Sequence, residues 1–164
     1  MAPGRCAGCC CSCSVPCADD APRGASGYHA RHARGGHDVS GHNPYQLLGG
    51  EDGVRTLCAA FYRIMDESPE AAGIRAMHGE SLAAIEEKLF EYLSGWMGGP
   101  PLYARRTGTV CLTKPHQPYA IGAAERDQWL LCMERALQEV GACDEVKEML
   151  REPMFRIADM MVNR

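Results

Sequence analysis

One segment of the chain combines a histidine with two prolines. His116 stands between Pro115 and Pro118 in the run 114–122, and Trp129 follows thirteen residues after the histidine. Proline fixes its own φ angle and favours an extended conformation in the residue before it. The two prolines therefore predict a stiff loop that holds the imidazole in one direction, as a metal ligand requires. A solvated surface histidine is the alternative that these residues alone leave open.

Hydrophobic periodicity predicts an all-α domain. Asn43 and Pro44 are a favourable N-cap and first residue for a short initial helix. No segment of the sequence alternates with a sustained period of two, so no strand is predicted. Pro153 falls inside the last predicted helix, where it should introduce a kink and leave that helix split or frayed. Longer helices are predicted over residues 54–65, 82–96, 123–140 and 144–163, where apolar residues recur at helical intervals.

Residues 102–122 show no sustained period and are predicted to form a long loop around His116. Loops longer than about 12 to 15 residues in a small domain are usually functional or disordered. A large flat cofactor would account for a loop of this length. Helices of this size have too few residues to fill a conventional bundle, and they could wrap a haem and use it as core.

A change of composition near residue 43 divides the chain. Residues 1–43 hold six of the ten cysteines and four of the six histidines, whereas residues 44–164 hold nearly every Leu, Ile, Met, Phe and Trp. Only the second part has the apolar residues to bury a core. It carries 13 basic against 18 acidic residues, which argues against nucleic-acid binding. No apolar run approaches the length of a membrane span.

The N-terminal cysteines admit several interpretations. Two Cys-x-x-Cys pairs, Cys6–Cys9 and Cys10–Cys13, have metal-ligand spacing, but the sequence holds no second half of a zinc site at the usual distance. No histidine follows either pair directly, which excludes covalent haem attachment. Acylation of adjacent cysteines and a targeting leader are further alternatives. We predict that residues 1–43 form a disordered extension, which a start codon assigned too early would also explain.

The remaining cysteines are scattered through the second part of the chain. They are predicted to be small packing residues in a reducing compartment, and they are Cys58, Cys111, Cys132 and Cys143. We therefore predict a cytoplasmic protein, with organelle targeting by the N-terminal extension as the alternative.

Eight short motifs follow one another along the second part of the chain: Gly49-Gly50, Phe61-Tyr62, Ala76-Met77-His78, Glu87 to Phe90, Gly95-Trp96, Gly98 to Tyr103, the His116 segment, and Glu125 to Trp129. Together they resemble the group II truncated haemoglobins, and the resemblance covers about residues 44–163. It implies a two-over-two helical sandwich around haem b (iron protoporphyrin IX), preceded by the N-terminal extension.

The resemblance also implies roles for individual residues. His116 matches the proximal iron ligand, since haem iron in globins is held by a proximal histidine. Tyr62, His78 and Trp129 match polar distal positions, where they would donate hydrogen bonds to a bound ligand or transfer protons to it. Without the resemblance, the two aromatic residues would be interpreted as core and His78 as a surface residue.

The other implied haem contacts are apolar residues and groups at the rim. Ile85 stands where many globins have a polar residue, so that side of the site should be apolar and partly open. Pro115 stands where the family often has a basic residue, so Lys114, Arg105 or Tyr103 would replace it as partner of a haem propionate. The full set of implied cofactor contacts is His116, Ile85, Leu89, Tyr103, Arg105, Lys114, Tyr119 and Trp129.

The implied function is reversible binding of dioxygen and of the related diatomics NO and CO. A site rich in donors should release oxygen slowly, which argues against bulk transport and favours NO dioxygenation or peroxidase-like chemistry. Such turnover needs electrons, so it implies an electron-donating reductase as partner of a monomer or weak homodimer. The alternatives are an oxygen storage or sensing protein, a cofactor-free helical interaction module, and metal or thiol chemistry at the N-terminal cysteines.

Overall fold

The computed structural model describes residues 42–164, and the regular elements in this range are helices. The all-α prediction is confirmed. A single 3₁₀ turn at Pro69–Ala71 separates α2 from α3, and α2 packs on both α4 and α7, while α7 packs on α8. The α-helices are α1 (Pro44–Leu47), α2 (Gly50–Glu67), α3 (Ala72–Ala76), α4 (Ala83–Trp96), α5 (Leu102–Thr107), α6 (Thr113–His116), α7 (Ala123–Glu139) and α8 (Asp144–Met160).

The core forms where α2 crosses its neighbours. The apolar stripe predicted on α2 is buried, with Val54, Leu57 and Phe61 fully inaccessible to solvent. They pack in one cluster with residues of α4, α7 and α8, among them Phe90, Met133, Ala136, Val146 and Leu150. Two layers of two helices, α2 with α4 and α7 with α8, thus enclose a continuous apolar interior.

The first helix begins at the predicted cap. The side chain of Asn43 accepts a hydrogen bond from the backbone N–H of Gln46 at 2.9 Å, and the Gln46 side chain accepts one from the N–H of Asn43 at 3.4 Å. This reciprocal pair is a capping box. The Asn43 amide also donates to the carbonyl of Gly98 at 3.1 Å, so the cap ties the start of the described chain to the end of α4.

Gly53 marks the tightest backbone approach in the fold. A Cβ atom at this position would lie 1.7 Å from the carbonyl oxygen of Leu48. We expect Gly53→Ala to lower the free energy of unfolding by about 1 to 3 kcal/mol, because the backbone of α1 and α2 must move apart. Denaturant unfolding measures the change. Gly79→Ala is the control, since a Cβ there meets nothing within 4 Å, and equal stability of the two variants would contradict the prediction.

The prediction of a structureless loop over residues 102–122 is wrong. This stretch contains two short helices, α5 and α6, and each is too short to establish an apolar period. Pro115 occupies the third position of α6, where the missing N–H costs nothing because the first turn of a helix has no partners for these groups. His116 consequently lies at the end of a helical turn.

The last helix runs without interruption through Pro153 from Asp144 to Met160. It is therefore not split, and it ends earlier than residue 163. Met149, one of the apolar residues of the helix predicted over 144–163, would be expected to face inward, but it is 40% exposed, whereas Met154 is buried at 4%. The buried stripe repeats every four residues at positions 146, 150, 154 and 158, which leaves position 149 on the outer side.

The cysteines of the described range divide into two kinds. Cys58 and Cys132 are buried, as predicted for packing residues, while Cys111 and Cys143 are exposed. Burial raises the pKa of the Cys58 thiol to about 12. Within residues 42–164, no helix combines the length and apolar character needed to cross a membrane. The predictions for the N-terminal extension fall outside the described residues.

Candidate functional site

A large cavity opens between the helix layers in the part of the chain that the structure describes. Its volume is about 430 Å³, within the range of about 300 to 1,000 Å³ that is usual for ligand and cofactor sites. Each helix from α2 to α8 contributes to the lining, which is largely apolar. Typical apolar members are Met77, Leu93, Leu112, Ile121, Met154 and Ile157.

The cavity brings together most of the residues that the sequence singled out. The lining includes Tyr62, His78, Ile85, Leu89, Tyr103, His116, Tyr119 and Trp129. Arg105 and Lys114 are exposed and do not belong to the lining. The residues predicted to contact the cofactor or its ligand therefore line this one cavity, with two exceptions. Arg105 and Lys114, which are candidates for contacting a haem propionate, lie outside it.

His116 presents one ring nitrogen that is free to bind a metal. Its Nδ1 lies 2.6 Å from the carbonyl oxygen of Leu112. A carbonyl can only accept a hydrogen bond, so Nδ1 carries the proton of the neutral ring and Nε2 keeps its lone pair. In metal-binding histidines, the ring nitrogen that does not bind the metal commonly donates a hydrogen bond of this kind, which fixes the tautomer and the orientation of the ring.

Asn163 fastens the segment that follows His116. Its side-chain amide donates to the carbonyl of Tyr119 at 2.9 Å and to that of His116 at 3.5 Å, and its Oδ1 accepts from the N–H of Ile121 at 3.1 Å. The backbone N–H of Asn163 also donates to the carbonyl of Ile121 at 2.9 Å. These bonds join the end of α8 to the wall of the cavity. The sequence alone does not indicate this role of Asn163, because nothing in its local sequence points to so distant a contact.

Tyr62 and Trp129 supply donors to the cavity. Both rings pack against Phe61, Tyr62 edge-on with a centroid distance of 4.9 Å and Trp129 tilted at 5.4 Å. Neither the Tyr62 hydroxyl nor the Trp129 indole N–H has a partner within residues 42–164. Every fully buried side-chain polar atom in that range is paired, so these two groups open onto the cavity. Burial raises the pKa of Tyr62 far above its ordinary value, which keeps the hydroxyl protonated.

His78 is held just beyond the end of α3. Its Nδ1 lies 2.7 Å from the carbonyl oxygen of Ile74, and its ring meets the Tyr62 ring edge-on with a centroid distance of 5.9 Å. Arg75, which no local sequence pattern indicates, pairs with Asp66 at 2.6 Å and donates to the carbonyl of Gly79 at 3.0 Å. The turn that carries His78 is thus anchored to α2.

Two cationic side chains at the cavity are not among the residues predicted from the sequence. Lys88 and Arg126 belong to the lining. Arg126 is paired with Asp159 at 2.6 Å, while Lys88 is exposed on the same face of α4 as Ile85. Lys88 follows Ile85 by three residues, a spacing that places both side chains on one face of a helix. This spacing could have indicated from the sequence that Lys88 borders the cavity.

This geometry agrees with comparisons to known proteins. A family model described as bacterial-like globin matches residues 43–163. The chain belongs to the bacterial-like globins. The relatives of this globin include the group 2 truncated haemoglobin YjbI of Bacillus subtilis, which is 31% identical over 121 residues, 74% of this chain and 89% of that protein.

Solved structures of truncated haemoglobins show which group of the family the chain resembles. The group II 2-on-2 haemoglobin of Agrobacterium tumefaciens is 40% identical, with a TM-score of 0.73, over 77% of this chain and 98% of that one. The truncated oxygen-avid haemoglobin from Bacillus subtilis is 30% identical, with a TM-score of 0.68, over 74% and 100%. The group II truncated haemoglobin resemblance and the two-over-two fold are thereby confirmed.

Membership of the globin family implies haem binding, and the cavity of this globin is suited to that group. Its apolar lining matches the faces of a macrocycle, and His116 offers a single neutral nitrogen with its second hydrogen bond already made. Haem iron in globins takes one protein ligand of this kind.

Removing the Asn163 side chain should loosen the segment after His116, which forms part of the cavity wall. We expect Asn163→Ala to speed haem loss and to lower stability by about 1 to 2 kcal/mol, because three hydrogen bonds to the segment after His116 disappear. Transfer of haem to an excess of apomyoglobin measures the rate. Arg164→Ala, at the exposed neighbouring position, is the matched control, and identical haem loss in both variants would contradict the prediction.

Proposed function

We propose that this globin binds haem b in the cavity, with His116 as the residue that would hold the iron, and that it retains dioxygen, NO and CO there. The observation that carries the proposal is the placement of His116. It lines an apolar cavity, and its Nδ1–H is committed to the carbonyl of Leu112, so Nε2 is the nitrogen left for iron.

The residues around the cavity determine how firmly a ligand is held. Bound ferrous haem supplies the site that takes up the gas and donates electron density to it. Tyr62 and Trp129 donate hydrogen bonds toward that density, and such bonds are stronger where water is excluded. Ile85 and Leu89 add apolar surface, which keeps the surroundings dry. Oxygen should therefore leave slowly, and one similar haemoglobin from Bacillus subtilis is described as oxygen-avid.

Slow release favours chemistry on the bound ligand over delivery of oxygen. We propose NO dioxygenation or peroxidase-like turnover as the activity, supported by an electron-donating reductase. At the rim, Tyr103 lines the cavity together with Lys88, whereas Arg105 and Lys114 do not. Tyr103 and Lys88 are accordingly the residues we assign to the propionates.

The visible absorption spectrum of the purified protein tests the proposal. We expect a sharp Soret band that shifts under carbon monoxide after reduction, and an oxygenated form that persists in air. Turnover is then measured by mixing the oxygenated protein with NO and following nitrate. A colourless protein that takes up no added haem would overturn the proposal and favour a cofactor-free helical module. A normal spectrum without turnover would leave an oxygen storage or sensing protein.

A further inference from the structure

Charge is distributed unevenly along the folded part of the chain. Residues 92–124 hold three basic side chains and neither Asp nor Glu, whereas the rest of residues 44–164 holds ten basic against 18 acidic residues. The stretch without acidic residues contains α5, α6 and His116. The segment that carries the predicted iron ligand is therefore positive, while the remainder of the domain is negative.

Two of the three cations in this stretch have no ionic partner. Within residues 42–164, nine of the 13 basic side chains pair with a carboxylate, and one of them is Arg106, which meets Glu91 at 2.5 Å. Arg105 and Lys114 form no such pair in that range, and both are exposed. Their charges are thus available to a group outside the domain.

Both free cations lie on the outer side of the cavity wall. Arg105 follows Tyr103 by two residues in α5, and Lys114 directly precedes Pro115 and His116 in α6. Tyr103, Pro115 and His116 line the cavity, whereas the two cations do not. The same short helices therefore face the predicted cofactor site with one side and carry free positive charge on the other.

Side-chain hydrogen bonds stabilise the connection between the two helices. The Thr107 hydroxyl donates to the carbonyl of Thr109 at 2.8 Å, and the Thr109 hydroxyl accepts from the backbone N–H of Cys111 at 3.1 Å. The Cys111 Sγ lies 3.3 Å from Oγ1 of Thr113, at the start of α6. These contacts give the connection a defined conformation, so it can present a fixed surface.

The segment also exposes two large apolar side chains. Val110 is 69% exposed and Tyr119 is 47% exposed. Specific protein–protein interfaces combine an apolar centre with a polar or charged rim. Val110 and Tyr119 supply apolar contacts, and Arg105 and Lys114 supply charge. We refer to these four residues as the basic surface.

We propose that the basic surface docks a small acidic electron-carrier protein, which serves as the reductase partner of the proposed function. The inference rests on that function, because the electron has a destination only when haem occupies the cavity. Opposite charges speed encounter and orient the partner, and the acidic remainder of the domain repels it elsewhere. Electron-transfer complexes bury little surface, which agrees with an interface built from one short segment.

Docking on this segment brings the electron donor close to the residue that would hold the iron. His116 belongs to the same segment and lines the cavity behind it. One electron leaves the reduced carrier and converts ferric iron to the ferrous form, and the carrier is oxidised by one electron. No covalent bond forms or breaks, and no proton is required.

Stopped-flow mixing of the ferric holoprotein with photoreduced flavodoxin, an acidic electron carrier, tests the docking. Carbon monoxide in the solution traps each ferrous molecule and provides the signal. We expect Arg105→Glu combined with Lys114→Glu to be reduced about ten-fold more slowly at about 10 mM salt, where the Debye length is about 30 Å. The difference should vanish near 1 M salt, where that length is about 3 Å.

A second pair of charge reversals is the matched control. Arg151→Glu combined with Arg156→Glu changes the net charge by the same amount at two cations of α8, whose side chains are 73% and 75% exposed. Each flavodoxin rate is divided by the rate with photoreduced lumiflavin, a small uncharged donor, which cancels any change at the haem site. Equal ratios for the two double variants at low salt would overturn the proposal.

Alkylation of cysteines provides a readout that does not depend on electron transfer. Cys111 and Cys143 are both exposed, and only Cys111 lies between the members of the basic surface. We expect an excess of oxidised flavodoxin at low salt to slow the reaction of Cys111 with iodoacetamide and to leave Cys143 unaffected. Mass spectrometry of the separate peptides measures both rates. Unchanged reactivity of Cys111 would contradict docking at this surface.

The outcomes separate this inference from the proposed function. If the wild-type protein takes up no haem, both are wrong. If it takes up haem and binds carbon monoxide, but the two double variants accept electrons from flavodoxin equally well, only the docking surface is wrong. Should the wild type then sediment with phosphatidylserine vesicles at low salt, and the Arg105 and Lys114 double variant not, the basic surface would bind an anionic membrane instead.

Discussion

Replacing His116 with alanine is expected to abolish tight haem binding. The cavity would keep its apolar lining, but it would lose the nitrogen that Leu112 holds in the ligating tautomer. Apolar contact alone does not fix an iron in one coordination geometry, so haem should dissociate during gel filtration. The absorbance ratio of the Soret band to the protein band, before and after the column, measures the loss.

Two controls make the His116→Ala result specific. His42→Ala removes an exposed histidine outside the cavity and should leave haem content unchanged. Added imidazole should restore haem retention and the wild-type Soret band to His116→Ala, because the small molecule fits the space left by the side chain and supplies the missing nitrogen. Full retention of haem with an unaltered spectrum would exclude His116 as the iron ligand.

Removal of both cavity donors should accelerate oxygen release. In Tyr62→Phe combined with Trp129→Phe, the bound ligand loses two hydrogen bonds of about 1 to 2 kcal/mol each. Since about 1.4 kcal/mol corresponds to a factor of ten, the oxygen dissociation rate should rise about 30- to 1,000-fold. Displacement of oxygen by carbon monoxide in a stopped-flow instrument measures it, and the rate of carbon monoxide release should change much less.

The two single variants and a tyrosine variant remote from the cavity serve as comparisons for the double variant. Each single variant should show part of the effect, and their sum need not equal that of the double variant because both rings pack on Phe61. Tyr45→Phe removes a hydroxyl from a half-buried tyrosine that does not line the cavity. An equal dissociation rate in the double variant and in Tyr45→Phe would remove Tyr62 and Trp129 from the set of donors.

The sequence predicted the long helices well because their burial follows a simple period. The apolar residues of α2 are buried, as their helical spacing predicts. The first helix begins at the N-cap that Asn43 and Pro44 predict. The cavity residues were found by resemblance rather than by period, since Tyr62 and Trp129 lie on faces that a pattern alone assigns to the core. Periodicity cannot tell an aromatic side chain in the core from one that borders a cavity.

Other parts of the site depend on contacts that no local pattern carries. Arg75 reaches Asp66 and the carbonyl of Gly79, and Asn163 reaches residues more than forty positions earlier. The helices α5 and α6 are too short for a detectable period, so the sequence predicts a loop in the stretch before His116. The orientation of both imidazoles is likewise invisible in the sequence, because it depends on which backbone carbonyl each ring meets.

The attachment of Asn163 to the segment after His116 has a consequence for the order in which the protein folds. That segment can take its final conformation only after α8 has docked, because three of its backbone groups pair with the Asn163 side chain. Slow uptake of haem by the apoprotein should therefore follow the docking of α8. Transient undocking of that helix, seen as joint amide exchange in α8 and at Ile121, would be the event through which haem escapes.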